Sequence, residues 1–418
     1  SCIDYAKEQN ITIRKNRITA ASTQIDVKTA KAALFPSLSF STSQQVVNRP
    51  YQETSSRVSG SEIISSNIKT SYNGNYGLNA SWTLYNGNKR LKTIQQEKLN
   101  NQVAELDVAT SENNIQESIA QVYIQILYAA ESVKVNESTL QVSIAQRDRG
   151  QELLNAGSIA KSDFAQLEAQ VSTDRYQLVT AQATLEDYKL QLKQLLELDG
   201  ENEMNIYLPA LSDENVLAPL PTKKDVYIRA LSLRPEIEAS KLNVEASELG
   251  IGIAKSSYLP TISLSAGIGT NHTSGSDFTF GEQVKNGWNN SIGLSVSVPI
   301  FNNRQTKSAV QKAKLQYETS MLSLLDEQKT LYKTIEGLWL DANSAQQRYA
   351  AANEKLKSTQ ISYELISEQF NLGMKNTIEL LTEKNNLLQA QQEQLQAKYM
   401  AILNMQLLKF YQGDQLAI

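Results

Sequence analysis

Histidine and cysteine, the residue types most often found in catalytic and transition-metal sites, each occur once in this 418-residue chain. His272 is the single histidine, in the polar stretch Gly269-Thr-Asn-His-Thr-Ser, without a second ligand or an ordering carboxylate at the spacing of a metal site or a triad. We therefore expect His272 to be an exposed loop residue. The sequence also has neither a CxxC pair nor a glycine-rich phosphate loop. These observations argue against an enzyme and predict neither a cofactor nor a metal.

Cys2 is the only cysteine, so it cannot form an intramolecular disulfide. A cysteine at this place is compatible with an acyl anchor on its sulfur. It is equally compatible with a small buried residue in a short helix. An internal repeat, described below, aligns Cys2 with Val226, and a position that is valine in the second copy favours packing.

Composition and charge exclude some classes of function. The formal net charge is −4, without the basic excess and basic clusters that a nucleic-acid-binding protein would show. No stretch approaches the ~20 apolar residues that a transmembrane helix requires. We expect no nucleic-acid partner.

The sequence contains an internal repeat, with the same order of motifs in its first and second halves. Residues 30–43 (AKAALFPSLSFSTS) correspond to residues 254–267 (AKSSYLPTISLSAG), and this offset of 224 aligns Pro36 with Pro260. Farther along, the offset is 216 and aligns Asn155-Ala-Gly157 with Asn371-Leu-Gly373. The register predicts a duplication, with a first repeat at 1–210, a second at 211–418 and a linker at 200–221.

Each copy carries an unusually long helical pattern. Residues 89–149 contain neither glycine nor proline, and residues 304–372 contain only Gly337. Each run predicts a helix on the order of 90–100 Å long, and second helices return at about 162–199 and 376–411, so that long helices occupy about 87–199 and 303–411. Apolar residues recur at heptad steps, which indicates helices packed side by side. These are Ile115, Ile119, Val122, Ile126, Val133 and Leu140, matched by Leu331, Ile335, Leu338, Ala342, Tyr349 and Leu356.

Other segments alternate with a period of two. Ile292, Leu294 and Val296 alternate with serine and glycine, and Leu78 and Trp82 lie in a similar pattern in the first copy. The alternation predicts two strand hairpins, at about 36–86 and 260–301, with strands of about ten residues and one apolar face. Loops rich in Ser, Asn and Gly are expected at 44–75 and 269–290.

The apolar strand face needs a cover that long, self-paired helices do not supply. Strands of this length, apolar outside and polar inside, are typical of membrane barrels. Because backbone groups in lipid must all be paired, four strands cannot stay an open sheet, and closure takes about eight. We therefore expect at least two chains to share one barrel. Candidate membrane-interface aromatics near the strand ends are Trp82, Tyr85, Trp288 and Phe301.

At this point the sequence resembles the TolC-like family of outer-membrane efflux and secretion channels. The resemblance is carried by the two blocks at 30–43 and 254–267, the LYNGNKR and IFNNRQT strand-to-helix junctions, and the NAGSIAKSDFAQLEAQ and NLGMKNTIELLTEKNNL turns. It spans residue 2 to about 411, and its specificity lies in the order and spacing of these motifs. It implies a fold that is mainly α with a β-barrel portion: a long coiled-coil α-barrel, internally duplicated, and a twelve-stranded membrane β-barrel shared by a trimer.

The resemblance also implies a function, a location and partners. Members are passive conduits in the outer membrane of Gram-negative bacteria, where a homotrimer contacts outer-membrane lipid and extends into the periplasm. A periplasmic adaptor protein docks on them and an inner-membrane transporter powers export. Residues 200–221 would then belong to an equatorial belt. The competing hypothesis is a periplasmic coiled-coil adaptor or scaffold without a membrane barrel, and two helical hairpins with strands between them favour the conduit.

Asp163 and Glu379 each lie six residues past a turn glycine. In the family, the resemblance implies, acidic rings constrict the periplasmic end, and three copies would bring up to six carboxylates toward one axis and attract cations. The alternative is helix capping, because acidic residues favour the first turn and Asn376-x-x-Glu379 fits a capping box. Three residues after Glu379 stands Thr382, so a second acidic ring is not evident.

The turns themselves are candidate contacts for the adaptor. Gly157, Ser158, Gly373 and Met374 occupy the positions that helical tips of an adaptor meet in this family, as the resemblance implies. Simple helix–turn–helix geometry explains the same residues, and both roles can hold together.

Overall fold

The computed structural model describes residues 2–51, 69–199, 206–207 and 216–416, with the backbone alone at 55–59 and 62–66. These residues form long helices and a small antiparallel sheet, which confirms the predicted class, mainly α with a β portion. Contacts divide the chain into two units. The helical unit comprises Ser1–Ala20, Val103–Lys241 and Leu322–Ile418, and the sheet unit comprises Ala21–Gln102 and Leu242–Met321.

Helices and strands follow one another in an order that the two copies share. In chain order the elements are α1 (Cys2–Gln9), α2 (Ile11–Ala32), β1 (Ser37–Asn48), β2 (Ser55–Ser59), β3 (Glu62–Ser66), β4 (Thr70–Asn86), α3 (Lys89–Asn155), α4 (Lys161–Leu195), α5 (Lys223–Leu233), α6 (Pro235–Ser256), β5 (Thr261–Thr273), α7 (Phe280–Asn286), β6 (Asn289–Ser297), α8 (Gln305–Asn371) and α9 (Thr377–Tyr411). Within the described ranges, no helix is both long enough and apolar enough to cross a bilayer.

Equal lengths support the duplication. Helices α3 and α8 each have 67 residues, α4 and α9 each have 35, and α2 and α6 each have 22. Both contact-defined units contain segments of each predicted repeat. The repeat boundaries therefore stay a prediction, and residues 200–205 and 208–215 of the predicted linker lie outside the described residues.

The sheet unit contains one four-stranded antiparallel sheet, in the order β1-β4-β5-β6. Directly opposed residues of neighbouring strands share a face, so the register decides which side chains lie together. Leu38, Ala80, Ala266 and Ile292 form one row across all four strands. The next row consists of small polar residues and a glycine, Ser39, Asn79, Gly267 and Ser291.

The alternation of rows confirms a sheet with one apolar face. We define the apolar face by the residues that share the register of that first row: Leu38, Phe40, Leu78, Ala80, Trp82, Ile262, Leu264, Ala266, Ile268, Ile292, Leu294 and Val296. The opposite, polar face carries mostly Ser, Asn and Gly.

The predicted loops at 44–75 and 269–290 are wrong in part. Strand β1 continues to Asn48 and β4 begins at Thr70, with β2 paired to β3 between them. In the second loop, β5 continues to Thr273 and α7 precedes β6. A strand ladder depends on backbone hydrogen bonds, so polar residues extend it where apolar alternation has ended.

His272 is not the exposed loop residue that the sequence predicts. It lies in β5, directly opposite Gly74 of β4, and is half-buried. Its ring stacks on Tyr76 at a centroid distance of 5.9 Å and meets the edge of Phe280 at 5.1 Å. The space that Gly74 leaves is filled by the imidazole, which accounts for glycine at that position.

The core of the helical unit repeats itself. Helix α1 packs through Ala6 on α3 and α4, in a cluster that includes Ile119, Ile126 and Leu192. Helices α5 and α6 pack on α8 and α9 in a second cluster with the corresponding residues Ala230, Ile335, Ala342 and Leu408. Of the predicted heptad positions, Ile119, Val122 and Ile126 are buried in the first cluster and Leu331, Ile335 and Ala342 in the second. Tyr349 is buried in a separate cluster, and Val133, Leu140 and Leu356 are only half-buried.

Cys2 does not follow this pattern. It lies in α1, in a short helix as predicted, but it is exposed, whereas its counterpart Val226 is fully buried. The prediction that Cys2 packs like Val226 is wrong, because Ala6 rather than Cys2 supplies the buried contact of α1.

Contacts between the two helical pairs complete the unit. Ile124 and Leu127 of α3 pack against Tyr399, Leu403 and Leu407 of α9. The described end of the linker packs on α8, where the Gln346 amide donates to the carbonyl oxygens of Val216 and Ala218 at 2.9 and 2.8 Å.

Candidate functional site

The turns at the ends of α3 and α8 have the same backbone geometry. Gly157 and Gly373 both adopt a φ of +72°, in the left-handed region that suits glycine. The amide of Ser158 donates to Leu153 O at 2.8 Å, and the amide of Met374 donates to Gln369 O at 2.8 Å. These are the long-range bonds of Schellman caps, so the turn glycines end the helices as the sequence predicts.

The two turns differ in what they expose. Leu372 and Met374 leave 74% and 72% of their surface exposed, and Ile378 in the first turn of α9 leaves 61%. The corresponding residues at the turn between α3 and α4 are Ala156, Ser158 and Ser162. The second turn therefore presents an apolar tip, which is the kind of surface that a protein partner covers.

Asp163 and Glu379 occupy the third position of α4 and α9. The Ala160 amide donates to Asp163 Oδ2 at 3.2 Å, and the Asn376 amide donates to Glu379 Oε2 at 3.2 Å. The Glu379 amide in turn donates to Asn376 Oδ1 at 2.9 Å, which completes a capping box. Each carboxylate thus contacts the start of its own helix rather than the other carboxylate.

Glu379 has a further partner. The Lys375 ammonium lies 2.5 Å from Glu379 Oε1, and this bond together with that from the Asn376 backbone lowers the pKa of the Glu379 carboxyl. The charge of Glu379 is therefore partly neutralised by Lys375, so that the two acidic positions are electrostatically unequal.

Sequence reasoning missed a buried ion pair farther along the same helices. Lys384 of α9 contacts Asp174 of α4, and both side chains are at least 97% buried. Ser143 of α3 donates to Asp174 and accepts from Lys384, and Gln170 donates to Asp174 Oδ1 at 2.9 Å. These contacts join α3 and α4, the long helical pair of the first repeat, to α9 of the second repeat.

A signal for this cluster is present in the heptads. Asp174 follows the buried Leu167 and Val171 at steps of 4 and 3, and Lys384 follows the buried Leu380 at a step of 4. A charged residue at a core position in each of two helices indicates a buried pair. Burial lowers the pKa of the Lys384 ammonium, and the hydrogen bond and charge of Asp174 oppose that shift. A buried ion pair of this kind contributes little net free energy to folding, and its main effect is to fix the register of α4 against α9.

The apolar face of the sheet is uncovered within the sheet unit. Ile292 leaves 79% of its surface exposed, Leu38 leaves 70% and Leu294 leaves 65%. An apolar surface that extends over several strands does not stay in water. Among the strands that the structure describes, β1 and β6 are the edges of this sheet, and neither has a ladder partner on its outer side.

The predicted interface aromatics lie at two levels of the sheet. Trp82 and Tyr85 lie where β4 ends, and Phe301 follows β6 at that same end. Trp288 precedes β6 at the opposite end, and all four rings are exposed by at least a third. The nine residues of β6 correspond to about 30 Å of strand, similar to the height of the lipid-facing band of membrane strands.

Comparison with a solved structure defines the class of fold. The crystal structure of CusC, described for conformational changes accompanying folding and transmembrane channel formation, superposes with a TM-score of 0.83 at 19% identity. The match covers 99% of this chain and 91% of CusC. The fold is therefore that of a TolC-like channel subunit, as the motifs at the turns and junctions predict.

Sequence comparisons identify the family. The family model described as "Outer membrane efflux protein" matches residues 2–197 and 226–413, and the chain belongs to that family. Outer membrane efflux protein BepC of Brucella suis is 24% identical over 290 residues, which cover 69% of this chain and 60% of BepC. Outer membrane protein TolC of Escherichia coli is 23% identical over 311 residues, which cover 72% of this chain and 62% of TolC.

The chain thus spans less than two thirds of the length of these two relatives. Membership in the family places it in the outer membrane of a Gram-negative bacterium, from which it reaches into the periplasm.

Removing one member of the buried pair should destabilise the helical unit strongly. We expect Lys384→Met to lower the free energy of unfolding by about 3–5 kcal/mol, because Asp174 would stay buried without a partner. Replacing both residues, in Lys384→Met with Asp174→Leu, should recover most of that loss. Chemical denaturation in detergent measures the difference.

The exposed pair of Lys355 and Glu393, 2.8 Å apart, provides the matched control. Lys355→Met should cost less than about 1 kcal/mol. If Lys384→Met and Lys355→Met lowered the free energy of unfolding equally, the structural role of the Asp174–Lys384 pair would be contradicted.

Proposed function

We propose that the chain is one subunit of a homotrimeric duct that carries exported molecules passively out of the cell, without catalysis. The observation that carries the proposal is the open sheet, which has an exposed apolar face and two free edges. Lipid suits the apolar face, but lipid cannot satisfy the free backbone groups of β1 and β6. A further copy of the chain can.

Strand directions support closure by copies. Neighbouring strands are antiparallel throughout the sheet, so β1 and β6 run in opposite directions. Strand β6 of one copy can therefore pair with β1 of the next in the same antiparallel manner. Three copies would supply twelve strands with their Ser, Asn and Gly side chains inside, and a barrel of this size leaves a lumen that such small groups do not fill.

Three partners follow from this proposal. The apolar tip formed by Leu372, Met374 and Ile378, beside Gly373, and the first turn with Gly157 and Ser158 are the surfaces that we assign to a periplasmic adaptor. An inner-membrane transporter would supply the energy, because a duct of this kind has no nucleotide site. Aromatic residues at the two ends of the sheet, Trp82, Tyr85, Trp288 and Phe301, would contact outer-membrane lipid at its interfaces.

Asp163 and Glu379 are the proposed gate carboxylates. Both serve as helix caps through one carboxylate oxygen, and the second oxygen of Glu379 accepts a hydrogen bond from Lys375. Because Lys375 partly neutralises Glu379, we expect Asp163 to contribute more to the attraction of cations.

A periplasmic adaptor or scaffold remains the second candidate, favoured by the long paired helices alone. Such a protein has no use for a lipid-facing sheet, and the exposure of the apolar face weighs against it.

Purified protein should form trimers in detergent and conduct ions in a planar bilayer. Particle mass from light scattering, corrected for detergent, reports the oligomeric state, and single-channel recording reports conduction. Monomers that stay soluble without detergent would contradict the proposal of a membrane duct and favour the scaffold hypothesis.

The gate carboxylates predict a change in ion selectivity. Asp163→Asn should lower the preference for cations over anions and weaken block by divalent cations, and Glu379→Gln should do so less. Asp187→Asn, a change at an exposed acidic position of α4 remote from the turn, is the control. If both gate variants conduct like the control, capping alone accounts for Asp163 and Glu379.

A further inference from the structure

A polar groove opens in the helical unit, lined by residues of α3, α4 and α9. It measures about 540 Å³, within the range of about 300–1,000 Å³ that is typical of sites for small molecules. Among the described residues that line it, none is charged. Apart from Ala181 and Leu388, each lining residue carries a neutral amide or hydroxyl group. The groove is therefore a surface of hydrogen-bonding groups without charge.

The corresponding groove of the second repeat has a different chemistry. It lies along α8 and α9 and measures about 560 Å³. The repeat offset of 216 aligns Ser132 and Gln177 of the first groove with Arg348 and Glu393 of the second, which Lys355 also lines. The two repeats thus share a groove of similar size and differ in its charge. Duplication accounts for the shared groove, but it does not account for the neutral lining of the first one.

The neutral groove presents hydrogen-bond acceptors. The hydroxyls of Thr173, Thr180 and Thr184 donate to carbonyl oxygens of their own helix at 3.0, 2.9 and 2.9 Å. Each hydroxyl oxygen therefore keeps its lone pairs for a ligand. The Gln177 Oε1 atom is buried and has no hydrogen-bond partner in the part of the chain that the structure describes. Because buried acceptors are normally satisfied, this oxygen indicates a donor from outside the chain.

These properties select the class of ligand. A cation would lose water without a carboxylate to pair with, since the buried carboxylate of Asp174 is already paired with Lys384. An anion would face acceptors rather than donors. A helix of a protein partner inserts apolar side chains, and only Ala181 and Leu388 are apolar here. A neutral saccharide supplies many hydroxyl donors, and Tyr176, 74% exposed, offers its ring to the C–H face of a sugar.

We propose that the groove between α3, α4 and α9 binds an uncharged oligosaccharide. The chain reaches into the periplasm, where two sources of this chemistry exist, soluble oligosaccharides and the glycan strands of the cell wall. Both sources present the hydroxyl groups that the groove recognises. The inference goes beyond the proposed duct, because it depends neither on closure of the sheet nor on conduction.

Binding of chitotetraose, a neutral N-acetylglucosamine oligomer, tests the site. We expect the purified protein in detergent to bind it, as measured by isothermal titration calorimetry. Gln177→Ala with Thr180→Ala should weaken the affinity about tenfold, because the two changes remove two acceptors for the ligand. Alanine has the highest helix propensity, so α4 should stay intact in this variant.

The matched control is Glu393→Ala with Gln396→Ala, the corresponding positions of the second groove. This control should bind chitotetraose as the unaltered protein does. Absence of binding by the unaltered protein, or equal affinities of the two double variants, would overturn the assignment. A protein that conducts ions but does not bind chitotetraose would overturn this inference and leave the proposed function intact.

Cosedimentation with isolated cell-wall sacculi distinguishes the two sources of the saccharide. If the protein sediments with sacculi and chitotetraose competes it away, the ligand is the glycan of the wall. If the protein binds chitotetraose and does not sediment with sacculi, the ligand is a soluble saccharide. In both cases the Gln177→Ala/Thr180→Ala protein should lose the interaction, and retention of it by that variant would contradict the proposed site.

Discussion

The exposed apolar face of the four-stranded sheet is the constraint on which the rest of the structure depends. Leu38 and Ile292, at the two edges, lie in one row whose side chains all point to the same side. Water disfavours that face, and lipid disfavours the unpaired backbone groups at the edges. In the proposed assembly, strands of further copies close the sheet and satisfy both demands.

The helical unit meets a different demand, which is to keep long and similar helices in one register. Heptad cores alone permit a shift by seven residues, because the apolar pattern repeats. The buried pair of Asp174 and Lys384 removes that freedom, since a shifted register would leave two charges without partners. In the internal repeat, Ala390 corresponds to Asp174 and Glu168 corresponds to Lys384, and these two residues cannot form an ion pair. The two repeats therefore differ in sequence at the position where α9 packs against the α3–α4 pair.

Periodicity predicted the helices, the apolar strand face and the turn glycines, because each depends on residues close in sequence. It missed α7 and the ends of the strands, where backbone ladders continue through polar residues such as Ser43 and Asn73. It also placed His272 in a loop, since its packing partners Tyr76 and Phe280 are not visible as a pattern. The capping contacts of Asp163 and Glu379 lie within one chain, whereas the gate role that we propose for them requires neighbouring chains, which a single sequence does not position.

The central claim is that the apolar face of the sheet lies in lipid. It can be tested by placing a tryptophan on each face, with Leu294→Trp on the apolar face and Ser295→Trp on the polar face, after replacement of the three native tryptophans by phenylalanine. In vesicles of brominated phospholipid, fluorescence of the tryptophan at 294 should be quenched strongly and that at 295 weakly. Equal quenching at both positions, or none at 294, would contradict a lipid-facing sheet.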